Sequence, residues 1–446
     1  MARRVLLSVT VLGFLVLLVG SLLRASATST QPGAPVLPPA PPPLSIDVGS
    51  DGSDGIFDPS ASTQVDLSLA RNLDPDLGEN WENTPGDGHG VYDPVVWAVV
   101  FKYQSITVSA GKTITFVNHP SRAPVVWLSQ GDVSIAGTID VRGGIWLPAP
   151  GYAQPGPGGF RGGRGRGPSG GGCSGGFGPG GAPKPTYWVT GSHATPGART
   201  EAGGVGPTYG NEGILPLIGG SGGSLTETST YGGGGGGGAI LIASNTTISL
   251  SGTMNADACS NLSTVTGAGG AVRLVADTVT VGVNAKAYAR AYQAGASGQG
   301  RIRIEGNTRN IDPGAIFNPP YSEGPPSVPV QVFPSDTAPR ITASFVDGQS
   351  VPADPRAGFR YDSVPADMEL LDAGSKLVVI EARYVPLDWE VRVRVGNVQG
   401  EAHWYVCPAL SGTLELSTTS VNVDISQGVS ALQVRAAPPE DWPPVW

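Results

Sequence analysis

The sequence predicts an all-β protein in which a repetitive domain of parallel strands is followed by a smaller antiparallel domain. Four stretches, which begin at Pro124, Gly238, Gly270 and Gly300, share one scheme of strand, polar turn, second strand and a third extended piece. Apolar and polar residues alternate inside these stretches, as expected of strands, and we expect Val126, Ile240, Val272 and Ile302 to line up through successive repeats. Only 14% of the residues are charged, which disfavours helices rich in Lys and Glu. Such repetition is typical of solenoids, in which each repeat buries its apolar edge against its neighbours.

The N-terminus has the three parts of a secretory signal. A basic start precedes an apolar run over residues 5–23 and a small-residue site at residues 25–27, which predicts a signal peptide in residues 1–27. The apolar run is also long enough to remain as a signal anchor. In both cases we expect the rest of the chain to be extracellular or at the cell surface. Residues 28–44 are rich in proline and predict an extended linker.

A large insertion interrupts the repeats. Gly238, Gly270 and Gly300 follow one another at intervals of 32 and 30 residues, but 114 residues separate Pro124 from Gly238. Within residues 143–238, 36 of 96 residues are glycine, which is also a property of flexible linkers. Spaced large residues favour the alternative that extended glycine runs pack side by side, because no Cβ separates their backbones. These large residues are Phe160, Phe177, Tyr187, Trp188, Tyr209, Leu215, Leu217 and Ile218. Both interpretations remain open at this stage.

The C-terminal part has the pattern of an antiparallel domain. Residues 319–339 form a second proline-rich linker, and residues 340–436 contain short apolar runs separated by turn signals. This pattern predicts a β-sandwich of the immunoglobulin or fibronectin type, with residues 437–446 as a tail. Its role is either that of a spacer or adhesive unit or that of a cap on the last repeat.

Four parts of the chain carry a resemblance: residues 90–144, the glycine tract, and the runs GGGGGGGAILIASNTTISLSGTMNADA and GAGGAVRLVADTVTV. Together they resemble a group of glycine-rich, parallel-β-helix-like exported bacterial surface proteins. The resemblance covers residues 45 to 310, and the C-terminal segment resembles the trailing β domain of that group. It implies a right-handed parallel β-helix over residues 45–318 and a surface or matrix role. No activity is assigned to the group, so the resemblance supplies no catalytic residues. The likeness to pectin-lyase-type β-helices is architectural.

Acidic residues near the start of the repeats are weak candidates for Ca²⁺ ligands. Carboxylates on glycine-rich turns suit this ion, but the spacing does not match a known calcium loop. Asx-turns are the alternative explanation. The four residues are Asp47, Asp51, Asp54 and Asp58. No other cofactor is expected.

The cysteines are too few for a disulfide framework. Cys173 lies in the insertion and Cys259 in the repeats, and in an oxidising compartment they are candidates for a disulfide that pins the two together. Cys407 lies in a predicted strand and is expected to be a buried thiol.

Two sets of residues bear on polysaccharide chemistry. Paired carboxylates on neighbouring strands would suit glycoside cleavage, and exposed indole rings would serve as sugar platforms. The carboxylates near the ends of the repeats are Asp132, Asp140, Asp257 and Asp277. The candidate platforms are Trp127, Trp146 and Trp188.

The sequence favours a non-enzymatic surface or matrix protein with a structural or adhesive role. The four histidines lack paired metal-ligand spacing, and no nucleophile motif is present. A polysaccharide-binding or polysaccharide-cleaving β-helix protein is the alternative. Stacked carboxylates on one face would favour this alternative, whereas a face of Ser, Thr and Asn would favour the structural role. The expected partners are envelope or matrix polysaccharides or other surface proteins. The net charge of −9 argues against nucleic acid, and membrane contact is expected only through residues 5–23.

Overall fold

The computed structural model describes residues 46–144, 153–165, 175–182, 189–198, 205–225, 231–258, 267–291, 298–352, 367–397, 402–428 and 430–439. Within these ranges the chain is all-β, as predicted, and its helical elements are two 3-10 turns, Leu67–Leu69 and Pro75–Leu77. The predicted signal segment and the linker that follows it lie outside the described residues.

Two sheets of mostly parallel strands make up the larger part of the structure. The strands are β1 Ile56–Phe57, β2 Thr63–Asp66, β3 Arg71–Asn72, β4 Val91–Asp93, β5 Ala98–Tyr103, β6 Ser105–Val108, β7 Thr113–Val117, β8 Val125–Ser129, β9 Val133–Ile135, β10 Thr138–Asp140, β11 Ala239–Leu250, β12 Thr253–Asn255, β13 Ala271–Val281, β14 Lys286–Tyr288, β15 Arg301–Ile311, β16 Ile316–Asn318 and β17 Ser322–Gly324. In the first sheet, β5 pairs with β8 and β6 pairs with β9. Both β8 and β9 pair with the long strand β11, which is followed by β13 and then β15. The second sheet has the order β16-β14-β12-β10-β7-β2. The four sequence repeats thus pair with one another in parallel.

Equivalent positions of the repeats form columns across the first sheet. Val99 pairs with Val125, which is followed across the sheet by Ile240, Val272 and Ile302. All five side chains are buried in one hydrophobic core. The strand alternation therefore predicts this core correctly.

The first of the four sequence repeats starts at an apolar doublet, Val125-Val126, and the structure decides which of the two residues faces the core. Val125 occupies the column, whereas Val126 pairs with Leu241 and lies in a second hydrophobic cluster. Successive side chains of a strand point to opposite faces, so a shift of one residue changes the face. An alignment of Val126 with Ile240 is therefore wrong by one position.

The first halves of β11 and β13 are buried on both faces, not on one as the alternation predicts. Their second face packs against Ile46 and Val48, against Ile214 and Leu217 of the glycine tract, and against Val332 of the proline-rich linker. The tract and the linker thus cover a sheet face that would otherwise be exposed.

A charged residue closes the C-terminal end of the main core. Arg309 occupies the position that pairs with the buried Val279. Its guanidinium contacts the carboxylate of Glu323 at 3.2 Å and donates to the carbonyl of Gly324 at 3.2 Å. A charge at this position disfavours the addition of a further strand to the open end.

The described parts of the glycine tract are ordered by main-chain hydrogen bonds. The amide of Gly233 donates to the carbonyl of Gly163 at 2.8 Å, and the amide of Gly163 donates to the carbonyl of Gly223 at 2.8 Å. A Cβ on Gly222 would overlap the carbonyl of Arg161, and one on Gly236 would overlap the carbonyl of Gly220. The packed arrangement therefore holds for these segments, since only glycine permits such close approach.

The C-terminal part consists of two antiparallel sheets. Its strands are β18 Arg340–Val346, β19 Gln349–Ser350, β20 Gly374–Arg383, β21 Glu390–Asn397, β22 Ala402–Val406, β23 Ser411–Gly412, β24 Ser417–Ile425 and β25 Ser430–Ala437. The sheets have the orders β19-β18-β20-β24-β23 and β22-β21-β25. They share one core that includes Val378, Ile380, Val391, Val393 and Val423. Strand β25 was not identified from the sequence, and its last residue lies in the predicted tail.

Two arginines link the second of these sheets to the glycine tract. Arg394 of β21 donates to the carbonyl of Gly176 at 3.4 Å, and Arg435 of β25 donates to the carbonyl of Thr208 at 3.4 Å. The tract therefore contacts both the parallel sheets and the C-terminal sheets.

We expect Gly236→Ala to destabilise the protein by ~1–3 kcal/mol, because the new methyl group overlaps a main-chain carbonyl that has no room to move. Thermal or urea denaturation measures the loss. Gly282→Ala is the matched control, since the nearest atom to its Cβ is the Leu250 oxygen at an ordinary 3.7 Å. Equal stability of the two variants would contradict the close packing of the tract.

Candidate functional site

The outward positions of five neighbouring strands form a regular polar surface. One column runs from Thr107 through Ser134, Ser249 and Thr280 to Asn310. A second column joins Thr247, Thr278 and Thr308. These eight residues are called the polar array below. All of them are half-buried or exposed.

Alternation along the strands creates the polar array. The residues between the two columns point inward and are buried in the main core, as Ile248 and Val279 show. The sequence Thr-Val-Thr at 278–280 therefore places both hydroxyls on the outer face. A face of Ser, Thr and Asn is the predicted sign of a structural role, but the sequence does not reveal which residues form it.

The side chains of the polar array are free of internal bonding. Among the described residues, no hydrogen bond or ion pair joins any of the eight side chains to another residue. Bonding begins only at the margin of the array, where Thr246 donates to Asp132 at 2.6 Å and Asn307 donates to Asp277 at 2.9 Å. The donors and acceptors of the array are thus available to water or to a ligand.

The four carboxylates considered for glycoside cleavage bond to separate partners. Asp132 and Asp277 accept hydrogen bonds from neutral side chains at the margin of the polar array. Asp140 pairs with Arg142, and the buried Asp257 pairs with Arg290 at 2.7 Å. In the part of the chain that the structure describes, no group of three His, Cys, Asp or Glu side chains is placed to hold a metal ion. Each of the four carboxylates is engaged with its own partner.

The carboxylates of the Ca²⁺ candidates make individual hydrogen bonds within their own loops. Asp47 accepts from the amide of Gly49 at 2.9 Å, and Asp51 accepts from that of Ser53 at 2.9 Å. These two residues therefore make the Asx-turns that the sequence offers as the alternative. Asp58 is exposed.

Asp54 fixes the loops at the start of the parallel sheets. Its buried carboxylate accepts from the backbone amides of Gly88 at 2.8 Å, Gly90 at 3.1 Å and Lys102 at 2.6 Å. The ammonium of Lys102 is fully buried and binds Asp51 at 2.9 Å and the carbonyl of Thr84 at 2.8 Å. These bonds supply the partners that buried charges require, so the role of Asp54 is structural.

Trp127 is not a sugar platform, which corrects the sequence prediction. Its side chain is completely buried. The ring packs 4.9 Å from that of Phe57 and 5.8 Å from those of Tyr103 and Phe116. Trp127 occupies an inward-facing position of β8 and therefore lies in the core. A tryptophan in the sequence does not by itself show whether its side chain is buried or exposed. The other two candidates, Trp146 and Trp188, lie outside the described residues.

Of the three cysteines, only Cys407 is described. It is a free thiol in the C-terminal core. Burial raises its pKa to about 11, so it is not a reactive nucleophile. Cys173 and Cys259, the candidate disulfide, lie outside the described residues.

A buried polar cluster fastens the glycine tract to the parallel sheets. The Nδ1 of His193 donates to the carbonyl of Gly269 at 2.8 Å, and its ring stacks on Tyr209 at 4.7 Å. The Tyr209 hydroxyl donates to the carbonyl of Gly219 at 2.6 Å, and Arg301 donates to the Tyr209 carbonyl at 3.2 Å. Burial lowers the pKa of His193 to about 4, so the ring is neutral. Tyr209 is one of the spaced large residues of the glycine tract, whereas no sequence pattern predicts the contacts of His193.

No family model, curated protein or solved structure matches this chain. Among the described residues, no helix is long and apolar enough to cross a membrane, and residues 5–23 lie outside that part. The polar array and the buried polar cluster are therefore the features from which function is inferred.

We expect His193→Gln to reduce the pH dependence of stability. The pKa of His193 is 6.5 when unfolded and about 4 when folded, so the unfolded state binds more protons between these values. The stability that neutral His193 provides is complete above pH 6.5 and is lost as the pH falls towards 4. Urea unfolding at both ends of this range should show that the wild type loses roughly 3 kcal/mol more than the variant.

The matched control for this measurement is His89→Gln, because His89 is exposed. It should keep the pH dependence of the wild type. Identical pH profiles for His193→Gln and the wild type would contradict a neutral, buried His193.

Proposed function

We propose that this protein is a non-catalytic, exported surface or matrix protein with a structural or adhesive role. In this proposal residues 45–318 form a right-handed parallel β-helix, and residues 340–436 form a β-sandwich of the immunoglobulin or fibronectin type. The parallel columns of the first two sheets and the shared core of the C-terminal sheets support this architecture. The resemblance to glycine-rich exported bacterial proteins agrees with it.

The polar array is the observation that carries the functional proposal. It presents eight neutral side chains without internal partners on one outer face. A site for glycoside cleavage requires two acids that face one substrate bond, about 5 to 9.5 Å apart. The candidate carboxylates instead bond to separate partners, which favours binding over cleavage. The partner class is neutral: an envelope or matrix polysaccharide, or another surface protein.

Rigidity also supports a structural role. The two parallel sheets, the glycine tract and the C-terminal sheets are joined by buried contacts, among them the His193–Gly269 bond and the Arg394–Gly176 bond. A body built in this way holds its outer faces at fixed positions, which lowers the entropy cost of binding.

A screen of the full-length protein against envelope and matrix polysaccharides, with product analysis, tests the proposal. We expect binding to at least one polymer without release of new reducing or unsaturated ends. The matched variant Asp140→Asn should behave as the wild type, because Asp140 pairs with Arg142 and not with a second acid. Product release by the wild type that Asp140→Asn abolishes would assign cleavage and overturn the proposal.

A further inference from the structure

Residues 207–218 of the glycine tract form a compact loop, called the lid below. The Tyr209 hydroxyl near its start donates to the carbonyl of Gly219, just beyond its end, at 2.6 Å, so the two ends lie close together. A turn inside the loop is fixed by Asn211, whose Nδ2 donates to the carbonyl of Leu215 at 2.6 Å. A short loop with adjacent ends and its own internal bonds can open as a unit while the structure beneath it stays folded.

The lid covers part of the apolar outer face of the first sheet. Its two buried apolar residues, Ile214 and Leu217, belong to the same hydrophobic cluster as Leu241 of β11 and Ala271 and Val275 of β13. Opening of the lid would therefore expose apolar surface to water.

The closed lid has a strained backbone. Ile214 has a φ of 52°, which lies in the left-handed region that β-branched residues rarely adopt. Its side chain is buried, so packing holds the backbone in this conformation. Strain of this kind persists only where surrounding contacts enforce it, and it is common in switch regions. The strain is released when the lid opens, which lowers the cost of opening.

Contacts around His193 fasten the lid to the parallel sheets. The Tyr209 ring stacks on the ring of His193 at 4.7 Å, and the amide of Tyr209 donates to the carbonyl of His193 at 3.0 Å. Arg301 of β15 donates to the carbonyl of Tyr209 at 3.2 Å. On the exposed side of the lid, the Ser322 hydroxyl donates to the carbonyl of Glu212 at 3.2 Å. His193 and Arg301 are thus buried attachment points of the lid.

A proton on His193 would place two positive charges close together. Because Nδ1 already donates a hydrogen bond, an added proton must bind Nε2. A Cβ on Gly210 would lie 3.8 Å from this Nε2 and 3.6 Å from the Nε of Arg301, so both nitrogen atoms approach the lid at one place. The titratable groups that face His193 are Tyr209 and Arg301, and Glu212 of the lid in turn faces Arg301. Neither neighbour of His193 is an acid, so its charge would be buried without a counter-charge.

We propose that the lid is an acid-sensitive cover, in which protonation of His193 releases residues 207–218 and exposes the apolar face beneath them. In the open lid water reaches the ring, so the pKa of His193 returns towards 6.5 from the value of about 4 that burial imposes. The open fraction therefore rises as the pH falls below 6.5, by about tenfold per pH unit and by roughly 300-fold once the pH is below 4. This inference goes beyond the proposed function, which does not require the lid to move.

Hydrogen exchange of the full-length protein, measured by mass spectrometry between pH 7 and 4 and corrected for the intrinsic rate at each pH, tests this inference. We expect the lid amides to be less protected than those of β13 at every pH, because the lid opens without unfolding of the sheet. Their protection should fall about tenfold per pH unit below pH 6.5. His193→Gln should make the protection of the lid independent of pH, because glutamine stays neutral over this range.

Two further variants keep the test decisive. Glu212→Gln is the matched control, because it removes the exposed acid of the lid and should keep the pH dependence of the wild type. Ser322→Ala removes a hydrogen bond that does not titrate, so it should lower the protection of the lid by the same factor at every pH. Lid protection in the wild type that does not change with pH, or that equals the protection of β13, would overturn the inference. So would a pH dependence that His193→Gln retains or that Glu212→Gln abolishes.

Discussion

The parallel register between repeats is the constraint on which the structure depends. Because side chains alternate along a strand, one register decides both what enters the core and what faces outward. The column from Val99 to Ile302 builds the main core, and the same pairing brings Thr278 beside Thr247 and Thr308. The hydrophobic core and the polar array therefore both depend on the pairing between repeats, but the register shifts between Ser244 and Thr247, so the two are aligned separately.

The glycine tract allows that register to survive a long insertion. The chain leaves after β10 and returns at β11, nearly one hundred residues later, directly beside β8. Ordering so many glycines costs conformational entropy. The tract offsets this cost with main-chain hydrogen bonds between neighbouring segments and with large residues such as Leu217 and Tyr209, which anchor it to the sheets.

Sequence alone predicts much of the fold and less of the site. Alternation reveals the inward residues of β11, β13 and β15. It fails at residues 125–128, where four consecutive apolar residues carry no period, so Val125 and Val126 were confused and the burial of Trp127 was missed. The contact of His193 with Gly269 joins residues 76 positions apart, and no local pattern contains it. The polar array was foreseen only as a type of face, because its lattice depends on the exact register.

The distribution of charge agrees with the proposal of a neutral partner. Several charged groups near the parallel sheets are paired with an opposite charge, as in Asp257–Arg290 and the buried Arg273–Glu305. A paired charge has only a short-range field, so it contributes little to the steering of a distant ion. The array in turn offers unpaired hydroxyls without net charge. A ligand on this face would meet hydroxyl and amide groups whose positions are set by the strand pairing, and a one-residue slip of register would replace them with the apolar residues of the core.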